Sequence, residues 1–490
     1  MDQERLNFWM EVFQNNKIDM YQKFTCLLFI FIAVSAYAQD SMVRLNLEEA
    51  IEVALENNLD VKRSTLRAKT SAVEFKQTRN SRLPDLNANY NYGLNNGRSI
   101  DPFTNTYIDE ELTFSNAGIG LGVTIFNGFQ IKNRIQRDRL NLQAAEMEVQ
   151  EARQEMVLNV TLTYFQVLNN KDLLRLARAR RVATEEQVER LKTLDNEGEG
   201  SPANYTDIQG QLANDYALIA DAENNLKSSK LELKRLLNIQ SNIEVTPENF
   251  SNEPVVYSFS ADEVFKESLE NLATFKADQL RIEAAKEDVQ VSRSLYAPDI
   301  SFFAQLNTNY SSLARLFNET GTSIVETGQY VRVDENNFSV LEEQTNFMEE
   351  EIPYEDQLIN NLNSNIGLSV SIPIFNGFRA KNTIALQKIV LEEREVAFER
   401  TKNEFEQAIR EAHNAMLTAL DRYEIYKEQV TAYSESYRVN EIRFNSGVSN
   451  VVDYIISKNN LDNAKINLAN ARYEYIFRTK ILDYYRGSSI

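Results

Sequence analysis

Apolar and small or polar residues alternate along four short segments of the chain. From 117 to 125 the odd positions are Ala117, Ile119, Leu121, Val123 and Ile125, and Gly118, Gly120, Gly122 and Thr124 fill the even ones. From 366 to 374, Ile366, Leu368, Val370, Ile372 and Ile374 alternate with Gly367, Ser369, Ser371 and Pro373. Upstream, Leu86, Ala88, Tyr90 and Tyr92 interleave with Asn87, Asn89 and Asn91, and Ile300, Phe302, Ala304 and Leu306 with Ser301, Phe303, Gln305 and Asn307. Side chains two apart share one face of a strand, so four strands are predicted. Two environments suit them: a soluble sheet with one wet side, or a membrane barrel with lipid outside and water within. Runs of about 9 to 11 residues match a tilted bilayer-spanning strand, and a Gly, Ser and Asn face suits an aqueous lumen, so the barrel is favoured. Roughly eight strands make the smallest closed barrel and lipid does not tolerate an open sheet edge, so the chain must oligomerise. Two copies would give a packed interior; three would leave a pore, and three are expected.

The remainder reads as helix. Residues 129 to 195 contain no Pro or Gly, and Ile135, Leu142, Val149 and Met156 recur every seven positions, as do Ile384, Leu391, Phe398 and Phe405. That is a coiled-coil stripe, and a helix of this length would run roughly 100 Å at ~1.5 Å per residue. Breaks fall at Gly198, Gly200 and Pro202 and at Gly447, after which 204–237 and 451–486 are helical again. The chain also repeats itself. GVTIFNGFQIKNRI at 122–135 matches SIPIFNGFRAKNTI at 371–384, an offset of 249, and Arg79, Pro84, Asp85 and Leu86 match Arg293, Pro298, Asp299 and Ile300 at an offset of 214. The predicted organisation is therefore a first repeat at 39–237 (a helix, the strand pair 85–126, the hairpin 129–237) and a linker at 238–259. A second repeat follows at 260–490, with a helix, the strand pair 299–375 and the hairpin 378–486.

The two offsets differ because the second repeat has a longer connection. Residues 311–360 carry eleven acidic side chains against Arg315 and Arg332, a large part of the net charge of −20, and are expected to be a solvated, mobile loop. At the N-terminus, FTCLLFIFIAV at 24–34 follows Lys23 and precedes Ala36, Tyr37 and Ala38. This pattern predicts a signal peptide over 1–38, with Met20 as an alternative start. Cys26, the one cysteine, would leave with it, as would Trp9. The remaining chain, net −19 without residues 1–38, makes a poor nucleic-acid ligand.

Candidate chemistry is sparse. His413 is the one histidine and has no cysteine or second histidine with which to hold a transition metal, so a surface or packing role is expected rather than a ligand. Glycines 118, 120 and 122 alternate within a strand and no G-x-x-x-x-G-K-[ST] occurs, so no phosphate site is assigned. No cofactor, metal or catalytic constellation is expected, and with no means of doing work the chain reads as a passive duct rather than an enzyme. A periplasmic coiled-coil adaptor or scaffold without a barrel is the competing reading.

Three duplicated features resemble the TolC family of bacterial outer membrane efflux channels: R-x-x-x-x-P-D-[LI] before a strand, IFNG leading from strand to helix, and the glycine turns GEGSPANYTDIQ and GVSNVVDYIISKNNL. The resemblance covers nearly the whole chain after residue 38. It implies a mainly α protein whose long hairpins form a periplasmic tunnel and whose four strands join a homotrimeric twelve-stranded barrel in the outer membrane of a Gram-negative bacterium. It implies an exit duct for a tripartite efflux or type I secretion system, working with a periplasmic adaptor and an inner-membrane transporter. The strand-to-helix turns are Asn127 and Gly128, and Asn376 and Gly377. The adaptor-docking turns fall at Gly198, Gly200 and Ser201, and at Gly447 and Val448. Asp207 and Asp453, two carboxylates at equivalent places, mark the periplasmic constriction, where rings of like charge attract cations. Ser449 stands where some members carry a basic residue, so an ion-pair lock is not expected there, and the first turn is about one residue longer and contains Pro202.

Overall fold

The structure, a computed structural model, describes residues 43–102, 104–246 and 254–488. The signal-peptide segment, Met20, Cys26 and Trp9 lie outside them. In chain order the elements are β1 (Val43–Leu45), α1 (Leu47–Asn57), α2 (Leu59–Asn80), β2 (Asp85–Asn95), β3 (Arg98–Ile100), β4 (Tyr107–Asp109), β5 (Leu112–Asn127), α3 (Gln130–Asn196), α4 (Pro202–Leu237), β6 (Ile243–Val245), α5 (Ala261–Asn271), α6 (Ala273–Arg293), β7 (Asp299–Ser311), β8 (Arg315–Val333), β9 (Asn336–Glu351), α7 (Tyr354–Asn360), β10 (Asn363–Ser371), α8 (Arg379–Asn445) and α9 (Val451–Tyr485). The chain is mainly helical, and the repeat is visible in its bounds: α3 and α8 are both 67 residues long. It also extends upstream. Asn46 before α1 and Ser260 before α5 each form a capping box, with Glu49 and Glu263 returning a carboxylate to the cap backbone N–H. Each box satisfies two otherwise unpaired donors of a first turn.

Two compact units are present, and each takes pieces from both repeats. Among the described residues, one contains 43–69, 144–246, 254–279 and 397–488; the other contains 70–102, 104–143 and 280–396. In the first, α1, α3 and α4 bury Ala50, Ala54, Val160, Tyr164, Leu233 and Leu237 around the parallel pair β1–β6. Residues 243–245 of the expected linker thus form a strand with Ile243 and Val245 buried, because those apolar side chains complete this core. A second cluster joins Val264, Ile409, Met416 and Leu482. The His413 ring lies there, its Nε2 3.2 Å from the Phe259 carbonyl oxygen.

The second unit is built on a four-stranded antiparallel sheet in the order β10-β7-β5-β2. Its register aligns the four alternating segments row by row. Leu86 faces Leu121, which faces Ala304, which faces Ile366; Ala88, Ile119 and Leu306 form the next row. One face is therefore apolar across all four strands, and in the single chain Leu86, Ile119, Ile366, Leu368 and Val370 are each at least half exposed. The other face pairs Asn87 with Gly120 and Gln305, and Asn89 with Gly118 and Asn307. Gly367 has no room for a side chain there, since a Cβ would come within 2.8 Å of the Phe303 ring.

Two expectations need correction. The acidic segment 311–360, expected as a solvated loop, is mostly exposed but has regular structure: β8 and β9 pair from Arg315↔Glu351 to Val333↔Asn336, with irregular register after Glu319 and Glu326, and α7 follows. Phe317, Ile324, Val325, Tyr330, Val331, Val333, Phe338 and Phe347 supply β-branched and aromatic residues of high strand propensity on both faces, and acidity alone does not forbid pairing. The last predicted strand was expected to reach residue 375 but ends at Ser371, opposite Asp299, where β7 begins. Pro373 lacks the N–H needed to extend a ladder.

Candidate functional site

The strand-to-helix turns are alike in both repeats. Gly128 and Phe129 have φ of 63° and 65°, and Gly377 and Phe378 have 62° and 61°. Two successive left-handed residues reverse the chain sharply, and a phenylalanine in that conformation is uncommon. Each is held by a neighbouring ring: Phe126 meets Phe129 edge-on at 5.4 Å between centroids, and Phe375 meets Phe378 at 5.6 Å. Lys132 and Lys381 place an ammonium 5.6 and 5.9 Å from the Phe129 and Phe378 centroids. The Asn127 side chain accepts from the Ile131 N–H. Gly128 is also crowded, a Cβ there lying 2.3 Å from the Ala297 methyl.

At the opposite ends of α3 and α8 the chain reverses through the two glycine turns. Gly447, at φ 71°, donates to the Phe444 carbonyl and Val448 to the Arg443 carbonyl, which closes the end of α8. In the first turn Gly198 has φ 79°, and a Cβ on Gly200 would lie 2.5 Å from the Asp195 backbone, so only glycine fits. Ser201 is the N-cap of α4 but makes no side-chain cap bond, and Pro202 follows it. Asn450 caps α9 by accepting from the Asp453 N–H at 2.8 Å, and Ser449 Oγ lies 3.1 Å from Asp453 Oδ2. Ser449 thus serves its own turn. Asp207 and Asp453 are both exposed, and each precedes a fully buried residue, Ile208 and Tyr454.

Those two neighbours join the tips of the hairpins. Ile208, Val188, Leu191, Phe444, Val451 and Tyr454 form one cluster. Tyr454 stacks on Phe444 at 5.0 Å and lies 5.8 Å from Tyr437. Burial pushes the Tyr454 phenol up to about 12 and the Tyr437 phenol well above its usual range, so both stay neutral at any physiological pH. Arg190 crosses between the hairpins: its guanidinium donates to the Asn445 carbonyl at 2.7 Å, at the last turn of α8, and stands over Phe444. A cation at a helix C-terminus is favourably placed against the dipole.

Further along the same helices lies a polar cluster that periodicity did not reveal. Arg180 on α3 donates to Asp215 on α4 at 2.7 Å and to Asn459 on α9 at 2.5 Å. Thr184 also donates to Asp215, and Lys458 reaches the Arg180 carbonyl and Asp462. Asp215 is fully buried and Arg180 and Lys458 nearly so. In sequence Arg180 sits in the run Arg178, Arg180 and Arg181, which reads as a solvated face. The available signal was position: Leu174, Ala177, Val188 and Leu191 are buried along one stripe of α3, and Arg180 and Thr184 fall within it.

None of the described helices is long and apolar enough to cross a membrane; the uncovered apolar surface is the sheet. The model of the outer membrane efflux protein family matches residues 50–238 and 356–479, leaving the β8–β9 hairpin outside the match. The chain is 22% identical over 462 residues to outer membrane protein TolC of Escherichia coli K12, covering 92% of this chain and 83% of that protein. Against outer membrane protein TolC of Vibrio cholerae it is 21% identical over 469 residues, 92% of each chain. Among solved structures, the Campylobacter jejuni CmeC outer membrane channel superposes with a TM-score of 0.71 at 17% identity, over 90% of this chain and 85% of that one. VceC from Vibrio cholerae gives 0.69 at 15%, over 90% and 96%. With the fold, the doubled turn motifs and the family model in agreement, the chain belongs to the outer membrane efflux protein family and is a channel protein of the outer membrane.

Proposed function

We propose that three copies assemble into a passive duct: twelve strands close a barrel in the outer membrane, and the helical hairpins line a periplasmic passage. A periplasmic adaptor and an inner-membrane transporter would supply docking and energy. The observation that carries this reading is a sheet whose apolar face is uncovered in the single chain and whose two outermost strands, β2 and β10, each lack a partner on one side among the described residues. In lipid such a sheet must close on itself, and four strands are too few. Joining β2 of one chain to β10 of the next satisfies both edges at once. A coiled-coil adaptor, the competing expectation, gives no account of this face.

The periplasmic turns are the proposed docking and closing elements, with Gly198, Gly200, Ser201, Gly447 and Val448 offered to the adaptor. Asp207 and Asp453 would be brought by the three-fold axis into carboxylate rings. Both are exposed and stand in no ion pair among the described residues, Asp453 accepting only from the Ser449 hydroxyl, which suits them to meet their symmetry mates and passing cations. The mass of the detergent-extracted protein tests the assembly. A particle of three chains is expected, and a monodisperse monomer would overturn the reading.

A further inference from the structure

The short helix α7 lies against the rim of the sheet, and it lies on the apolar side. The Tyr354 ring packs on Tyr310 at 4.7 Å between centroids, and its hydroxyl stands 3.0 Å from Ser115 Oγ and 3.2 Å from Tyr90 Oη. Alternation fixes which face these side chains occupy. Ser115 pairs with Tyr92 and Tyr310, and Ala117 with Tyr90 and Thr308, so all stand above the rows of Leu306, Ile119 and Ala88. The connection from β2 to β5 goes to the other side, where Asn309 on the polar face donates to the Pro102 carbonyl.

The anchoring of α7 is built. Gln357, 1% exposed, accepts from the Ser311 N–H at 3.0 Å and donates to the Ser311 and Ile352 carbonyls, supplying β7 with the bonds a continued β10 would have made. Thr308 donates to the Leu358 carbonyl and Asn361 to that of Asn309. The contacts also give a direction. Tyr354 begins beside Tyr310 and Ser115, and the chain enters β10 at Asn363 opposite Asn307, so α7 runs from the rim toward the apolar rows. Glu355 and Asp356 are in the first turn, at the rim end; Ile359 (72% exposed), in the last turn, and Leu362 (53% exposed), two residues past the helix and one before β10, follow on the side of the apolar rows. From Ile300 to Leu306 those rows span ~20 Å at ~3.3 Å per residue, against an apolar band of about 25 Å in outer-membrane barrels.

We propose that α7 is an interfacial anchor, with Ile359 and Leu362 seated in the lipid just below the headgroups of the outer leaflet and Tyr90, Tyr92, Tyr310 and Tyr354 at headgroup level. The occupant is lipid because this surface continues the lipid-facing side of the sheet, and the charged residues of α7, Glu355 and Asp356, are confined to its first turn, with only uncharged side chains toward the apolar rows. Tyrosine belongs at that boundary, its ring in the apolar zone and its hydroxyl hydrogen-bonded. The inference rests on the barrel reading above.

Fluorescence quenching in vesicles tests both and separates them. Trp9 is the one natural tryptophan, so Trp9→Phe makes any introduced indole the sole emitter. The trimer carrying Ile359→Trp, reconstituted in phosphatidylcholine vesicles, should emit blue-shifted relative to water, and bromines near the headgroup should quench it more than bromines near the chain ends. Leu362→Trp should behave alike, while Leu121→Trp, in a central row, should show the opposite depth order. If Leu121→Trp is quenched but Ile359→Trp and Leu362→Trp emit as in water, the anchor is overturned and the barrel stands. Blue-shifted α7 emission that no bromine quenches would mean that protein covers α7, which also overturns the assignment. If Leu121→Trp is not quenched, the barrel falls and the anchor with it.

Discussion

At the residue scale, buried polar contacts set the register of the helices, and they are sensitive to loss of one partner. Asp215 accepts from Arg180, Thr184 and Gln211 with no exposure to water. Asp215→Ala removes the nearer of the two carboxylates of Arg180, leaving Asp462 at 3.6 Å, and breaking a buried pair costs up to about 3–5 kcal/mol. Thermal unfolding followed by helical circular dichroism should therefore begin below that of the parent; an unchanged transition would show that Asp462 and Asn459 suffice to satisfy Arg180. Glu244 acts at a more accessible site, joining β6 to Lys171 on α3 and Lys230 on α4, both at 2.8 Å. Hydrogen bonds from those two lysines hold its carboxyl below the usual range. A depressed carboxylate contributes stability that is present above the unfolded-state value and lost as pH falls through the folded-state value. Glu244→Gln should accordingly lower the melting temperature at neutral pH, with the difference from the parent closing in the acid range below about pH 4. A gap independent of pH would assign the loss to packing.

At the element scale, alternation was legible where strands pair in a sheet with one apolar face. Leu86, Leu121, Ala304 and Ile366 fall in one row because each strand obeys the same period. Substituting Leu121→Arg should impair assembly by roughly 2–4 kcal/mol near the bilayer midplane, read as trimer yield in outer membrane extracts. Gln305→Arg, on the polar face beside Gly120, should leave the yield unchanged, and equal loss from both would place neither face in lipid. The β8–β9 hairpin and α7 were not legible. The hairpin carries apolar and acidic residues on both faces, so no stripe distinguishes it from solvated chain. Helix α7 is seven residues long, too short for a 3.6-residue period to register, and its position depends on Gln357 and Tyr354 reaching residues more than forty positions away.

At the scale of the whole molecule, duplication is the organising fact, yet the compact units do not follow the repeats: each is assembled from both copies. The two hairpin tips share one apolar cluster, to which Ile208 contributes from the first hairpin and Phe444 and Tyr454 from the second. In the trimer proposed above, Asp207→Ala combined with Asp453→Ala should raise single-channel conductance in a planar bilayer or weaken block by divalent cations. Unaltered conductance and ion selectivity would remove both residues from the constriction.

What the sequence determined by itself is everything carried by a repeating period or by a backbone constraint local to a few residues. The two 67-residue helices, the four strands and their apolar face, and the glycine turns belong here, since a side-chain period or a missing Cβ acts over one or two turns of chain. The tertiary structure decided what depends on partners distant in sequence. Arg180 becomes an interior residue because Asp215 and Asn459 meet it, residues 243–245 become a strand because residues 43–45 lie alongside, and α7 rests on the apolar face because Gln357 completes the edge of β7. In each case the deciding interaction joins groups far apart along the chain; a local pattern can at most place a residue on the inner face, as the stripe of α3 does for Arg180, and does not encode the partner.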